Sequence, residues 1–238
     1  MKKVLVIIPA HNEEKNIRKV LEDLKKEVPE YHCLVINDGS RDRTSKYARS
    51  YKKVSVIDLP FNVGIGGAVQ TGFKYARKHN YDYALQFDGD GQHRAGEIRK
   101  IIEPLANQEA DVVIGSRFLE REGSYKSTFM RRKGIYIFKL VNFLLIRQVI
   151  TDNTSGFRAY NRNTIKFLAS YYPTDYPEPE SVVLLGRNGF KISEVSVDME
   201  ERKFGRSSIR GWRVIYYMLK VLLSILMTAL RNKIMTRD

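Results

Sequence analysis

The sequence lacks the features that mark disulfide-stapled and zinc-finger proteins. Its 238 residues include one cysteine, Cys33, which excludes an internal disulfide and a cysteine-based zinc site. That cysteine lies in the apolar run CLVIN, so we expect a buried thiol in a reducing compartment. The first residues, MKKVLVIIPAHNEE, carry a short apolar core that meets charged residues without a small-residue cleavage site. They predict a strand, and we expect no export signal.

Acidic residues are scarce beside basic ones. The chain has 27 Asp and Glu against 41 Lys and Arg, a formal net charge of +14. This imbalance predicts an anionic partner, and nucleic acid, anionic lipid and phosphorylated substrates all qualify. Basic clusters on both sides of an apolar C-terminal segment favour a membrane surface. A nucleic-acid-binding protein is the alternative of another class, but no aromatic residues interleave on a basic stripe, so we expect no nucleic-acid partner.

Five short β-rich runs alternate with helix-length segments in the first half of the chain. Strings of β-branched residues without polar alternation predict strands buried on both faces, and the runs are KVLVIIP, CLVIND, VSVIDL, YALQFD and DVVIGS. The pattern predicts an α/β domain built on a mostly parallel sheet. The chain has no internal repeat, low-complexity tract or flexible linker. We therefore expect one domain over residues 1–210, followed by a C-terminal helix over residues 211–238.

Polar, sharply turned loops follow or adjoin these five runs. They are PAHNEE, NDGSRDRT, FNVGIGGA, DGDGQH and GSRF. Any one of them is explained by the ordinary use of Asp, Asn, Ser and Gly in turns and helix caps. The carboxyl ends of parallel strands share one edge of the sheet, however, and ligands bind there. Five such loops together predict a binding site at that edge.

The loop DGDGQH brings two carboxylates, Asp88 and Asp90, to the end of a strand. Neighbouring carboxylates repel each other, and a divalent cation removes that conflict. If strand alternation continued to Asp90, both side chains would point the same way. Gln92 adds an oxygen, so we predict an Mg²⁺ or Mn²⁺ site made of Asp88, Asp90 and Gln92. His93 either ligates the metal or only follows the turn.

The other loops fit a nucleotide. Asp38, Glu13 and His11 carry groups that can hydrogen-bond to a base or a ribose. The glycine-rich stretch GIGGAVQTG (64–72) has two interpretations that the sequence leaves open. It is either a tight turn into a small-residue helix face or a backbone that packs closely against a nucleotide.

The order of these motifs resembles a known family. IPAHNEE, VINDGSRDRT, NVGIGGAVQTGF, FDGDGQH, GSRF and DNTSGFRAYNR resemble the family 2 glycosyltransferases, especially polyprenyl-phosphate glycosyltransferases related to dolichyl-phosphate mannose synthase. The resemblance covers residues 3–210 and implies a GT-A fold, a nucleotide-sugar donor, a polyprenyl phosphate acceptor and inversion at the sugar. His11 stands where many relatives have tyrosine, and Gly89 separates the aspartates where relatives vary.

The resemblance also implies roles for individual residues. The nucleotide-sugar site comprises Pro9, His11, Glu13, Asp38, Gly64, Asp88, Arg202 and Arg206. The last two belong to a basic loop, ERKFGRSS, expected to close over the diphosphate. Asp90, Arg117 and Arg131 are the implied catalytic residues, with the two arginines expected to hold the acceptor phosphate.

The chemistry of the acceptor decides whether a base is needed. A lipid phosphate is already anionic, so it needs cations rather than a strong base. A saccharide hydroxyl, as used in surface polysaccharide synthesis, needs a general base, for which Asp152, Asp175, Glu178 and Glu180 are the candidates. We favour a UDP-sugar donor, with GDP-mannose as the alternative, and undecaprenyl or dolichyl phosphate as acceptor.

The C-terminal segment from Trp212 to Leu230 is apolar but carries a central lysine, which disfavours a membrane span. We predict an amphipathic helix whose apolar face is Val214, Met218, Val221, Leu222, Ile225, Leu226 and Ala229. A narrow polar stripe lies opposite, made of Arg213, Lys220, Ser224 and Thr228. Such a helix lies in the membrane interface or packs against a second copy of the chain. The expected location is the cytoplasmic face of the cell membrane, and a small membrane protein is a further partner that the sequence leaves open.

Overall fold

A computed structural model describes residues 2–119, 140–200, 213–231 and 233–234, with side chains in the last helix described from residue 220. Seven strands form one sheet in the order β3-β2-β1-β4-β6-β5-β7. The strands are β1 (Val4–Ala10), β2 (His32–Asn37), β3 (Val54–Asp58), β4 (Tyr83–Gln86), β5 (Val112–Ser116), β6 (Arg158–Asn161) and β7 (Ile192–Ser196). All neighbouring pairs are parallel except those that β6 makes with β4 and β5. The predicted α/β architecture with a mostly parallel sheet is confirmed.

Helices cover both faces of this sheet. They are α1 (Ile17–Glu27), α2 (Thr44–Arg49), α3 (Gly64–Lys78), α4 (Ile98–Ala106), α5 (described for residues 140–146), α6 (Arg162–Tyr171), α7 (Pro177–Arg187) and α8 (Arg213–Leu230). Side chains alternate along β1, so Leu5 and Ile7 pack on the face covered by α3, α6, α7 and α8. Val6 and Ile8 pack on the face covered by α1, α2 and α4.

Strand β6 was not predicted from the sequence. It lies within DNTSGFRAYNR and separates β4 from β5. The strand is only four residues long, and its first residue, Arg158, is a charged side chain that is almost completely buried. Periodicity gives no signal for so short a strand when an arginine faces the core.

Cys33 is buried in β2, as predicted. Burial raises the pKa of its thiol to about 12, so the thiol stays protonated at neutral pH.

The C-terminal helix forms, but its orientation differs from the prediction. Val221, Ile225 and Ala229 of the predicted apolar face lie in the protein core. Thr228, assigned to the polar stripe, is buried and its hydroxyl lies 3.4 Å from Oε2 of the buried Glu180. The helix therefore uses much of its apolar face to dock on the protein. Among its described side chains, the large apolar ones that it exposes are Leu223, Leu226, Met227 and Leu230.

No helix among the described residues is long and apolar enough to cross a membrane.

The glycine-rich stretch forms the first half of α3, and most of it serves helix packing. A Cβ atom on Gly66 would lie 2.5 Å from the carbonyl oxygen of Thr174, and one on Gly72 would lie 2.3 Å from Cγ2 of Ile7. These two glycines therefore let α3 approach the segment after α6 and the strand β1. Gly64 differs, because its φ is +82° and a Cβ there would meet nothing within 4 Å.

We predict that Gly72→Ala destabilises the protein without touching the nucleotide site. The new methyl group overlaps Ile7 in a closely packed core, and overpacking of this kind costs about 1–3 kcal/mol. Urea unfolding measures the loss, with Gly96→Ala as the matched control because a Cβ at Gly96 meets only a carboxylate oxygen at 3.9 Å. Equal stability of the two variants would show that α3 does not depend on this close approach.

Candidate active site

A cleft of about 220 Å³ opens at the carboxyl ends of β1, β2 and β4. Its lining contains every described residue that was predicted to bind the nucleotide sugar: Pro9, His11, Glu13, Asp38, Gly64 and Asp88. Asp90 lines it as well, together with Ala10, Asn62, Ile65 and Ala68. Residues separated by up to 81 positions in the chain are thus brought to one cleft, from Pro9 to Asp90.

Hydrogen bonds around His11 join the loop after β1 to the loop after β2. The Nδ1 atom of His11 lies 2.6 Å from the carbonyl oxygen of Asp38, so Nδ1 carries a proton and donates it. Its Nε2 atom lies 2.9 Å from Nδ2 of Asn12 and accepts that hydrogen bond, which assigns the ring tautomer from its partners. Asn12 also accepts from the backbone N–H of Arg41 at 2.9 Å. Both nitrogens of His11 are therefore used to hold its ring at the rim of the cleft.

Asp38 is buried and caps α3. Its Oδ1 accepts from the N–H of Val63 at 2.7 Å, and its Oδ2 accepts from the N–H of Gly64 at 3.0 Å. A carboxylate at this position favours the helix electrostatically, because the free N–H groups carry partial positive charge. We predicted a direct contact with the base or ribose; the carboxylate has remaining lone pairs for one, but its first partners are the helix amides.

The two carboxylates of DGDGQH are brought together by a turn. Strand β4 ends at Gln86, but the N–H groups of Phe87 and Gly89 still donate to the carbonyl oxygens of Ile7 and Pro9 at 2.9 and 3.3 Å, so pairing with β1 continues up to the turn. Gly91 has a φ of +78°, and the N–H of Gln92 donates to Oδ1 of Asp90 at 3.1 Å. The turn places both aspartates in the cleft lining, whereas Gln92 is not part of that lining.

His93 supports the loop DGDGQH, the carboxylate loop, on its buried side. Its ring is buried, stacks on Phe157 at 4.8 Å between centroids, and accepts the backbone N–H of Asp88 on Nδ1 at 3.1 Å. The neutral ring therefore carries its proton on Nε2, which lies 3.6 Å from Oδ2 of Asp88. Burial lowers the pKa of His93, which favours this neutral form although the nearby aspartates oppose the shift. Both nitrogens face Asp88, which favours a bracing role over metal ligation.

The residues behind Asp88 were not predicted from the sequence. Nε2 of the buried Gln86 lies 3.3 Å from Oδ1 of Asp88, and Oε1 of the same amide accepts from the hydroxyl of Tyr172 at 3.3 Å. Gly156 also lies here, because a Cβ on it would meet Oδ2 of Asp88 at 2.7 Å. A glutamine inside the apolar run YALQF is the one sequence signal that pointed to this polar layer.

The donor atoms in the cleft fit a sparse cation site. Within the described ranges, no group of three His, Cys, Asp or Glu side chains converges on one point. Asp88 and Asp90 supply two carboxylates, and Mg²⁺ ordinarily takes one or two carboxylates together with substrate phosphates and water. The pair therefore suits a cation whose coordination a diphosphate completes.

Arg117 follows β5 and is paired with Asp152. Its Nε donates to Oδ2 of Asp152 at 2.7 Å and its Nη2 donates to Oδ1 at 2.8 Å, a bidentate contact. Burial alone raises the pKa of Asp152, but the hydrogen bonds and charge of Arg117 outweigh it, so the pKa lies below its ordinary value. Arg117 does not line the cleft described above. Arg131, Arg202 and Arg206 lie outside the described residues.

The four acids considered as a general base lie in different surroundings. Asp152 is held by Arg117, and Glu180 is buried against α8 while it accepts from the N–H of Tyr176 at 3.2 Å. Asp175 is exposed beside the same helix. Burial is the main influence on Glu178 and raises its pKa, with a smaller contribution from the charge of Asp88. Glu178 thus feels the charge of Asp88, and the charge of Asp152 acts on His93 of the same loop to raise its pKa.

Comparison with known proteins gives a consistent family. The model of glycosyl transferase family 2 matches residues 5–168. UDP-N-acetylglucosamine–dolichyl-phosphate N-acetylglucosaminyltransferase from Methanococcus voltae is 29% identical over 92% of this chain and 95% of its own length. Undecaprenyl-phosphate mannosyltransferase from Micrococcus luteus is 30% identical over 88% of each chain.

A solved structure confirms the fold. Glucosyl-3-phosphoglycerate synthase from Mycobacterium tuberculosis, in complex with Mn²⁺, UDP and phosphoglyceric acid, matches with a TM-score of 0.70 and 17% identity. The match covers 97% of this chain and 80% of that one.

We predict that His93→Phe lowers stability even though it keeps the ring stacked on Phe157. The substitution removes the acceptor for the N–H of Asp88, and an unsatisfied buried donor costs about 1–3 kcal/mol. Chemical denaturation measures the change, with His79→Phe as control because His79 is exposed and its ring contacts that of Tyr75 at a tilt, 4.1 Å between centroids. If His93→Phe were as stable as the wild type, the ring would contribute only packing, and its hydrogen bond to Asp88 would not stabilise the protein.

Proposed function

The chain belongs to glycosyl transferase family 2, and we propose that it transfers a sugar from a nucleoside diphosphate to a polyprenyl phosphate, with inversion at the sugar. The observation that carries this proposal is the cleft at the sheet edge. It joins the predicted nucleotide residues to the carboxylates Asp88 and Asp90 in one lining. A nucleic-acid-binding protein would use neither set of residues, whereas a transferase with a saccharide hydroxyl acceptor would share this donor cleft and differ in the acceptor.

The donor is a sugar nucleotide whose diphosphate meets a divalent cation, Mg²⁺ or Mn²⁺, at Asp88 and Asp90. When bound, the cation neutralises the charge that develops on the leaving diphosphate. We favour a UDP-sugar, because the relative from M. voltae is named for UDP-N-acetylglucosamine, with GDP-mannose as the alternative. The N–H of Glu200 donates to the carbonyl oxygen of Gln92 at 2.8 Å, so the basic segment with Arg202 and Arg206 follows directly on a residue beside the carboxylate loop.

The acceptor is a polyprenyl phosphate, by analogy with relatives named for dolichyl and undecaprenyl phosphate. One of its phosphate oxygens attacks the anomeric carbon from the face opposite the leaving group. The bond to the nucleoside diphosphate breaks, and its electron pair stays on the diphosphate. No proton has to be removed from an acceptor that is already ionised, and this fits the surroundings of Asp152 and Glu180, which hold other parts of the protein. Arg117 and Arg131 hold the acceptor phosphate.

The membrane contact uses outward apolar residues. Leu226, Met227 and Leu230 on α8 are between 50% and 76% exposed, and Phe143 and Leu144 on α5 are 44% and 62% exposed. Leucine, phenylalanine and methionine on the outer side of helices, near many basic residues, suit an anionic membrane surface. We place the enzyme on the cytoplasmic face. A second copy of the chain or a small membrane protein would bind at the same exposed side of α8.

The proposed reaction is tested by incubating membranes that contain the protein with a panel of labelled nucleotide sugars and analysing the lipid fraction by mass. One donor should label a polyprenyl phosphate, with the mass of a single sugar added. Label that enters a saccharide without any lipid phosphate product would instead support the hydroxyl acceptor and would direct attention to Glu178.

We predict that Asp90→Ala loses sugar transfer at saturating Mg²⁺ or Mn²⁺ by a factor on the order of 100 or more, because a cation contributes several kcal/mol to charge stabilisation. Asp23→Asn, on the exposed side of α1, is the control for removal of one carboxylate. Label in the lipid product measures the rate. Full transfer by Asp90→Ala would show that the cation assignment is wrong.

We also predict that Leu226→Glu with Leu230→Glu reduces binding to vesicles that contain anionic lipid. Each substitution removes an apolar side chain that would enter the membrane interface. It adds a negative charge, which the anionic lipid headgroups repel. Co-sedimentation measures binding, and Asn107→Glu, at an exposed position after α4, adds a charge away from α8. Undiminished vesicle binding by the double variant would place the membrane contact elsewhere.

A further inference from the structure

One short segment, the loop of residues 152–157 with Arg158 at the start of β6, contacts two parts of the site that follow different strands. At one end Asp152, whose side chain is completely buried, holds Arg117 through two hydrogen bonds of 2.7 and 2.8 Å and accepts the N–H of Arg117 at 3.2 Å. The direction of the guanidinium is therefore set by a carboxylate that solvent does not reach. A bidentate contact fixes the plane of a guanidinium as well as its position.

Glu194 on β7 fixes the start of this loop. Its carboxylate accepts from the N–H of Thr151 at 2.7 Å, the N–H of Asp152 at 2.8 Å and the hydroxyl of Thr151 at 2.9 Å. Burial raises the pKa of Glu194, and these donors counteract the shift. The backbone of Asp152 is thus fixed by a side chain of β7, the strand at the edge of the sheet.

At the other end of the loop, Gly156 lies directly against Asp88. A Cβ on Gly156 would meet Oδ2 of Asp88 at 2.7 Å, Oδ1 at 3.2 Å and Nε2 of Gln86 at 3.0 Å. Real Cβ atoms essentially never approach other heavy atoms within 3.0 Å, so any side chain here displaces the carboxylate or the loop. The absence of a side chain at Gly156 is what leaves Asp88 room for its present position.

The buried Arg158 holds the loop between these ends. Its guanidinium donates to the carbonyl oxygens of Asn153 and Ser155, both at 2.7 Å, and to that of Glu178 at 2.8 Å. A buried guanidinium with several carbonyl partners is costly to rearrange, because each lost contact leaves a polar group unsatisfied. The buried Arg158 therefore fixes the conformation of the backbone between Asp152 and Gly156.

We propose that residues 152–158 form a positioning element that sets Arg117 and Asp88 relative to each other, with Asp152 orienting the arginine and Gly156 seating the aspartate. The inference rests on the proposed function, in which Asp88 serves the donor and Arg117 serves the acceptor. Asp152 is then a positioning residue for the guanidinium of Arg117, which binds the acceptor phosphate. It does not act as a general base.

The donor arm of the test uses Gly156→Ala and measures Mn²⁺-dependent binding of UDP by calorimetry. Displacing a carboxylate that ligates a metal should weaken this binding about 10- to 100-fold, the usual effect of disturbing the groups that orient a ligand. Gly96→Ala is the matched control and should bind as the wild type does. Gly156→Ala with wild-type affinity for UDP and Mn²⁺ would overturn the seating of Asp88.

The acceptor arm uses Asp152→Asn, with Asp23→Asn as control, and measures KM for the polyprenyl phosphate and kcat. Loss of the orienting carboxylate should reduce kcat/KM for the acceptor on the order of 100-fold, as expected for a misplaced binding group. Binding of UDP with Mn²⁺ should not change. Equal losses in donor binding and acceptor use would overturn the proposal, because they indicate a general structural role.

Circular dichroism shows whether each variant folds. If Asp152→Asn does not, Glu194→Gln takes its place, since it reaches Arg117 only through the loop, and the same selective loss in acceptor use is expected. A wild-type protein that binds neither UDP nor GDP with Mn²⁺ contradicts the proposed function itself. A wild-type protein that binds one of them, with Gly156→Ala binding equally well, contradicts only the positioning element.

Discussion

The structure depends on keeping two carboxylates close together at the edge of the sheet. Asp88 and Asp90 both line the cleft, and because neighbouring carboxylates repel each other, the protein must fix their positions. It does so from the buried side, where Gln86, His93 and Gly156 contact Asp88. The open side faces the cleft. A carboxylate pair that faces a cleft suits a cation whose coordination an anionic ligand completes.

The sheet topology explains how the other residues reach this pair. The carboxyl ends of β1, β2 and β4 meet at one edge, so His11, Asp38 and the aspartates converge although they are distant in sequence. The antiparallel strand β6 then enters between β4 and β5 and brings residues 152–158, the loop before it and its own first residue, under the same edge. This segment contacts Arg117 after β5 and Asp88 after β4, so the two side chains share one support.

Much of the fold and of the site could be predicted from the sequence, because apolar β-branched runs followed by polar loops carry a strong signal. The structure brings Pro9, His11, Glu13, Asp38, Gly64 and Asp88 into one cleft lining, and their binding of a nucleotide sugar stays a prediction. The features that were not predicted depend on tertiary contacts. Asp38 caps α3, α8 turns Thr228 inward to Glu180, and β6 begins with the buried Arg158. In each case a polar side chain has a distant partner, which local sequence does not reveal.

A direct measurement of the cation site is a crystal soaked with Mn²⁺ and UDP, with diffraction recorded at the manganese absorption edge. An anomalous peak within ligand distance of the carboxylates of Asp88 and Asp90, joined to the diphosphate oxygens, is the expected result, at a spacing of about 2.0–2.6 Å for hard cations. UDP seated in the cleft without manganese, or manganese bound away from these two aspartates, would contradict the role assigned to the carboxylate pair.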